Sequence, residues 1–305
     1  METMRDIKRR INSIKNTQKI TKAMKMVAAS KLRKAQAKAE VARPFFAKTK
    51  EILEGVSKYT NGPVEHPLLI DSGGNKHLYI IINADRGLSG SYNARIIDKA
   101  KQSFAEQEEN SLLTIGKNAR DYFKKRKYNI ISEYINIDDY PDYWFAHKIA
   151  EEVISLFTEG IVDKVSLVYT HFNSAITYQA QAINLLPLTP PEEKKAQGEE
   201  TEQDKVNPDM GDKEKTDKEQ VDYLYEPSAE EVFDILLPKY INNVLYSALL
   251  ESKASEFGAR MTAMDAATDN AGDLIDDLTL TYNRVRQAAI TKEITEIVGG
   301  AEALK

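Results

Sequence analysis

The chain has 305 residues, with 42 Lys and Arg against 47 Asp and Glu and a formal net charge of -5, a balance that leaves room for one sizeable core plus extensions. It contains no cysteine, which excludes disulfides, thiolate metal sites and thiol switching. No run approaches the roughly 18 apolar residues that a membrane span needs, and the amino terminus reads as a charged helix rather than a signal segment, so a bacterial cytoplasmic setting is expected.

The near-neutral total hides an asymmetry. Residues 1–50 carry fifteen Lys and Arg against Glu2, Asp6 and Glu40, a net of +12. Residues 1–60 read as one long helix in which Ile7, Ile11, Ile14, Gln18, Thr21, Lys25, Ala28, Leu32, Ala35 and Ala39 recur at alternating spacings of four and three, a heptad seam. Met24, Met26 and Val27 fall off that seam and imply a second contact surface. Pro44 removes an intrahelical hydrogen bond, so a kink or break is expected near Arg43. Gly62, Pro63, Pro67 and the Gly73-Gly74 pair mark the exit into different structure.

Residues 76–188 change period. Strand-length apolar runs (Leu78 to Asn83, Leu112 to Ile115, Ile130 to Ile137) alternate with helical stretches from Ser91 to Ala105, Asn118 to Lys127 and Asp142 to Phe157. Two further strands, Lys164 to Phe172 and Tyr178 to Leu186, follow. The order predicts an α/β domain with a mainly parallel sheet, helices on its faces and an antiparallel final pair. Residues 189–222 are acidic: from 190 on they hold twelve Asp and Glu against six Lys, lack apolar periodicity and are expected to be a flexible loop.

Residues 227–305 read as a second long helix. Ser228 and Glu231 have capping-box spacing. Ile241, Leu245, Ala248, Ser252, Ser255, Ala259, Thr262 and Ala266 follow the four-three alternation. Leu274, Leu278, Val285, Ile290, Ile294, Ile297, Ala301 and Leu304 continue it with larger side chains. If the inserted domain returns the chain near its entry point, the two helices pair antiparallel and project as a stalk.

Catalytic chemistry has no clear candidate. A phosphate site would fall in the turn after the first strand, Asp85 to Ser91, but its two glycines lie at i and i+3 rather than in G-x-G-x-x-G, and Gly116-Lys117 lacks the upstream glycine of a P-loop. The expectation there is a packing turn. His66, His77, His147 and His171 have no metal-ligand spacing. The basic amino-terminal helix could meet nucleic acid phosphates, yet no aromatic stacking residues occur in 1–44, and an acidic protein surface fits it better. No catalytic, cofactor or metal residue is nominated.

Three blocks carry a resemblance: NTQKITKAMKMVAASKLRKAQ from Asn16, DRGLSGSYN from Asp85, and ASEFGARMTAMDAATDNAGDLIDDLTLTYNRVRQAAITKEITEIVGGAEAL from Ala254. They closely resemble the gamma subunit family of F-type ATP synthases. The resemblance implies an antiparallel coiled coil of the two terminal helices with an inserted Rossmann-like domain. It implies a central rotor shaft coupling proton-driven turning of the c-ring to the conformational cycle of the catalytic beta subunits, without an active site or cofactor of its own. The implied partners are three alpha and three beta subunits, epsilon and the c-ring. The implied location is peripheral, on the cytoplasmic side of the cell membrane, touching it only through the c-ring.

Residue by residue, the resemblance assigns Lys22, Met24 and Lys25 to the beta lever, and Arg260, Arg286, Gln287, Thr291 and Glu293 to beta loops. It makes Ile290, Ile294, Ile297, Val298 and Leu304 the bearing tip. The foot would hold Lys31, Arg33, Lys34, Tyr223, Leu224, Tyr225 and Glu226, where the c-ring is met. Ser89 stands where Cys is common in the family. The acidic 189–222 stretch reads as longer than in most bacterial members and is expected to have no role in torque. The competing reading is a nucleotide-binding α/β protein with an interaction stalk.

Overall fold

The computed structural model describes residues 3–59, 66–105, 109–188 and 229–303; the acidic stretch 189–222, Ser228, Tyr223 to Glu226 and Leu304 lie outside them. The first helix, α1, runs Met4–Tyr59, and the last, α5, runs Ala229–Ala303 over 75 residues. At about 1.5 Å per residue α5 extends roughly 110 Å. Helix α1 continues through Pro44 without the expected break, and α5 likewise contains Pro238.

Between them lie β1 (Lys76–Ile82), α2 (Tyr92–Ser103), β2 (Glu109–Ile115), α3 (Lys117–Lys125), β3 (Asn129–Tyr134), α4 (Tyr143–Thr158), β4 (Lys164–Phe172) and β5 (Tyr178–Leu186). The sheet order is β3-β2-β1-β4-β5, parallel except for the antiparallel β4-β5 pair. Because strand side chains alternate between faces, the central strands feed two cores. Leu78, Ile80 and Ile82 meet α4 and the first turns of α5 on one face, with Phe233, Leu237, Ile241, Leu245 and Ala248. Tyr79 and Ile81 meet α2 and α3 on the other, with Tyr92, Ile96, Ala119 and Phe123.

The two long helices pair antiparallel. Asn243 Nδ2 donates to Thr49 Oγ1 at 3.1 Å, Leu32 and Ala35 pack with Ala254 and Phe257, Lys25 binds Asp265, and the Thr21 and Thr268 hydroxyls are 2.7 Å apart. This register places Met4 beside the Val285 turn.

The α1 seam read from spacing is the buried one: Ile7, Ile11, Thr21, Ala28, Leu32 and Ala35 are all buried. The α5 seam needs correction. Ile241, Leu245, Ala248, Ser252 and Ala259 are buried against the sheet domain rather than against α1, and Thr262 and Ala266 are exposed. The side facing α1 lies two residues on, through Asn243, Ala254, Phe257, Met264 and Thr268. Helix α5 carries two apolar stripes because it serves two cores, and both stripes satisfy the same four-three spacing.

The Thr21–Thr268 rung is the lighter kind of interhelical link, since Thr268 Oγ1 also donates to Met264 O within its own helix. Thr268→Val is expected to lower stability by about 1 kcal/mol, read from the shift in denaturation midpoint.

Candidate partner-binding shaft

Past the Val285 turn α5 has no companion helix among the described residues. Arg286, Gln287, Ile290, Thr291, Glu293, Ile294, Ile297 and Val298 are all exposed along this overhang. An apolar stripe left in water on a protruding helix is the signature of a surface that a partner covers. Lower down, Lys22 is exposed, Met24 and Lys25 are half-buried, and Ile20, Met26 and Val27 stand in solvent, on the side of α1 that spacing marks as a second surface. Arg33 and Lys34 are exposed as well. Nearer the sheet domain an open apolar groove is lined by Ala37, Val41, Ala42, Phe45, Tyr143 and Tyr246.

Three of the cations assigned to partners from sequence meet a carboxylate of the chain itself: Lys25 reaches Asp265 and stays 41% exposed, and the other two are more covered. Lys31 binds Asp139 in the loop before α4, with its side chain 29% exposed. Arg260, 12% exposed, lies 2.8 Å from Glu256 and donates to Gly87 O at 3.3 Å. Lys253 lies 3.3 Å from the same Glu256 carboxylate, so one buried anion holds two buried cations on α5. Asp139 and Glu256 differ in how they reach their cations: the fold brings Asp139 to Lys31 from 108 residues away, whereas Glu256 sits one helical turn before Arg260, at i,i+4 spacing.

The carboxyl ends of the strands, where an α/β sheet usually takes a nucleotide, are filled by the protein's own groups. Asp85 Oδ1 accepts from Lys117 N at 2.9 Å, occupying a free donor at the start of α3 that a phosphate would use. Gly116, with φ +106, brings its backbone so close to β1 that an added Cβ would lie 2.2 Å from Asn83 O. Ser89 is buried, and Tyr92 Oη donates to Ser252 O at 3.0 Å. Burial, and secondarily the charge of Glu256, pushes the Tyr92 phenol far above its ordinary pKa, so it stays a donor at every physiological pH. The turn after β1 is a packing turn that seats α5. Among the described residues no three His, Asp or Glu gather as metal ligands, and no helix is long and apolar enough to cross a membrane.

A family model described as ATP synthase matches residues 3–304. The chain is 64% identical to the ATP synthase gamma chain of Halothermothrix orenii over 305 residues, with complete coverage of both. This chain belongs to the ATP synthase gamma family. The gamma chain of Pelotomaculum thermopropionicum is 47% identical over 306 residues, again with full coverage of both chains. Among solved structures, the chain resembles one from the central stalk and c-ring of the Tetrahymena thermophila mitochondrial ATP synthase, with a TM-score of 0.56 at 27% identity, covering 81% of this chain and 99% of that one. A chain from the rotor of the Euglena gracilis mitochondrial ATP synthase shares the gamma fold, with a TM-score of 0.66 at 18% identity and coverage of 94% and 98%.

Proposed function

We propose that this subunit is the central rotor shaft of an ATP synthase, coupling c-ring rotation to the conformational cycle of the beta subunits and the reverse during hydrolysis. The single observation carrying the reading is the antiparallel α1–α5 pair, from which α5 alone projects past the Val285 turn with an exposed apolar stripe. The subunit has no active site of its own in this reading; it acts by presenting a different side to each catalytic site in turn, and differential contact with their states is what converts angle into affinity.

Lys22, Met24 and Lys25 face the beta lever, Arg286, Gln287, Thr291 and Glu293 face beta loops, and Ile290, Ile294, Ile297 and Val298 run in the bearing. Exposed ion pairs there contribute at most about 1 kcal/mol each, weak enough to exchange between angles. Arg33 and Lys34, with Tyr223, Leu224, Tyr225 and Glu226, belong to the foot near epsilon and the c-ring. The subunit lies on the cytoplasmic face of the cell membrane and reaches it only through that ring. The engagement of Lys31 by Asp139 and of Arg260 by Glu256 supports internal roles for those two residues.

Co-purification tests the assignment. One copy per three alpha and three beta chains is expected, and any other ratio overturns it. Residues 290–301 are all exposed, so truncation after Ala289 is expected to leave the melting temperature of the subunit within a few degrees while torque in the assembled enzyme falls. Tight, saturable nucleotide binding by the isolated chain would instead favour the nucleotide-binding reading.

A further inference from the structure

The sheet domain grips each long helix with a different loop, and one carboxylate fastens the two loops together. The loop after β1 reaches α5: Gly87 O accepts from Arg260 at 3.3 Å, and a Cβ at Gly90 would lie 3.6 Å from Ala263 Cβ. The loop between β3 and α4 reaches α1: Asp139 binds Lys31, and the Tyr140 ring lies 5.3 Å from the Lys38 ammonium. Tyr140 also sits 6.4 Å from the Phe257 ring of α5, within the cluster that joins Leu32 and Ala35 to Ala254.

Asp85 belongs to the first loop and holds the second. Its Oδ1 accepts from Lys117 N at 2.9 Å, and its Oδ2 from Ile137 N at 2.7 Å, two residues before Asp139. Asn136 just upstream has φ +56, so the backbone turns sharply where Asp85 catches it. A partly exposed pair such as Lys31–Asp139 holds little by itself; its grip depends on the loop being anchored behind it. Only an ionised carboxylate accepts from both donors, because an amide in its place would turn an N–H2 group toward one of them.

We infer that Asp85 is a positioning residue that ties the α5-gripping and α1-gripping loops into one collar, so that the sheet domain turns with both helices under load. The inference rests on the shaft reading. Asp85→Asn keeps size and one acceptor while giving up the double hold. In enzyme reconstituted into vesicles, Asp85→Asn is expected to retain ATP hydrolysis but lose ion pumping per ATP hydrolysed.

The chain's lack of cysteine makes a rescue clean. Lys31→Cys with Asp139→Cys, bridged by a short bis-maleimide because a lysine-to-carboxylate span exceeds disulfide reach, is expected to restore pumping in the Asp85→Asn background. A role confined to local folding would not respond to that bridge. Normal coupling by Asp85→Asn overturns the inference, as does a bridge that fails to restore pumping, or one that halts rotation when Asp85 is intact. If Asp85→Asn does not assemble, Asp139→Ala with Tyr140→Ala loosens the same grip at the loop tip, and normal pumping by that variant overturns the inference equally. The shaft reading fails separately, on the stoichiometry of the unaltered enzyme.

Discussion

Glu256→Ala is expected to destabilise the subunit by about 3–5 kcal/mol, because it strands two cations that the fold has already taken out of water. The Lys253 and Arg260 side chains are 9% and 12% exposed, and Glu256 is the carboxylate within ion-pair distance of both, at 3.3 and 2.8 Å. Without Glu256 the ammonium and guanidinium lose the carboxylate that compensates both, at the place where α5 seats the turn after β1. Urea denaturation of the purified subunit reads the loss as a lowered midpoint. The triple replacement Lys253→Met, Glu256→Leu and Arg260→Met removes the charges together and is expected to recover most of the stability, since a buried ion pair seldom beats well-packed apolar groups. A shift below about 1 kcal/mol for Glu256→Ala would show that water reaches the triad.

Gly116→Val is expected to cost about 3 kcal/mol or more through two independent effects. The residue has φ +106, a backbone state that side chains oppose, and its Cβ would lie 2.2 Å from Asn83 O and 2.7 Å from Asn83 C. Both neighbours are backbone atoms at the end of β1 and cannot rotate away. Gly116 N also donates to Tyr134 O at 2.7 Å, so displacement would pull on β3 as well. Gly73 is the control: it too has positive φ (+67), but nothing lies within 4 Å of its added Cβ, so Gly73→Val carries only the backbone term, about 1 kcal/mol. Equal midpoint shifts for the two variants would refute the steric account.

The elements that one period governs were legible in the sequence. Strands β4 and β5 take the bounds their alternation and apolar runs predict, and the α1 seam holds because α1 has one principal partner, α5. Helix α5 misleads because a residue such as Ser252 or Ala259 suits either a coil or a helix-on-sheet contact, and spacing cannot tell which core a stripe will meet. The exposed overhang was readable as a continuing apolar pattern at Ile290, Ile294 and Ile297, although exposure itself follows from α1 starting only at Met4. The internal engagement of Lys31 leaves no local mark, because Asp139 is 108 residues away, whereas that of Arg260 by Glu256 stands at a helical i,i+4 spacing that a partner-facing reading passes over. Asp85 gave no signal beyond that of a turn residue, since two converging backbone N–H groups leave no mark in the order of side chains.

The same unbroken helix roofs one face of the sheet in its first turns and stands bare at its far end, with no linker between the two stretches. There is consequently no swivel between head and shaft. A twist applied near the sheet reaches the tip by elastic winding of the α1–α5 pair up to the Val285 turn and of α5 alone beyond it, and any phase lag between the two ends is stored along that length rather than at a joint.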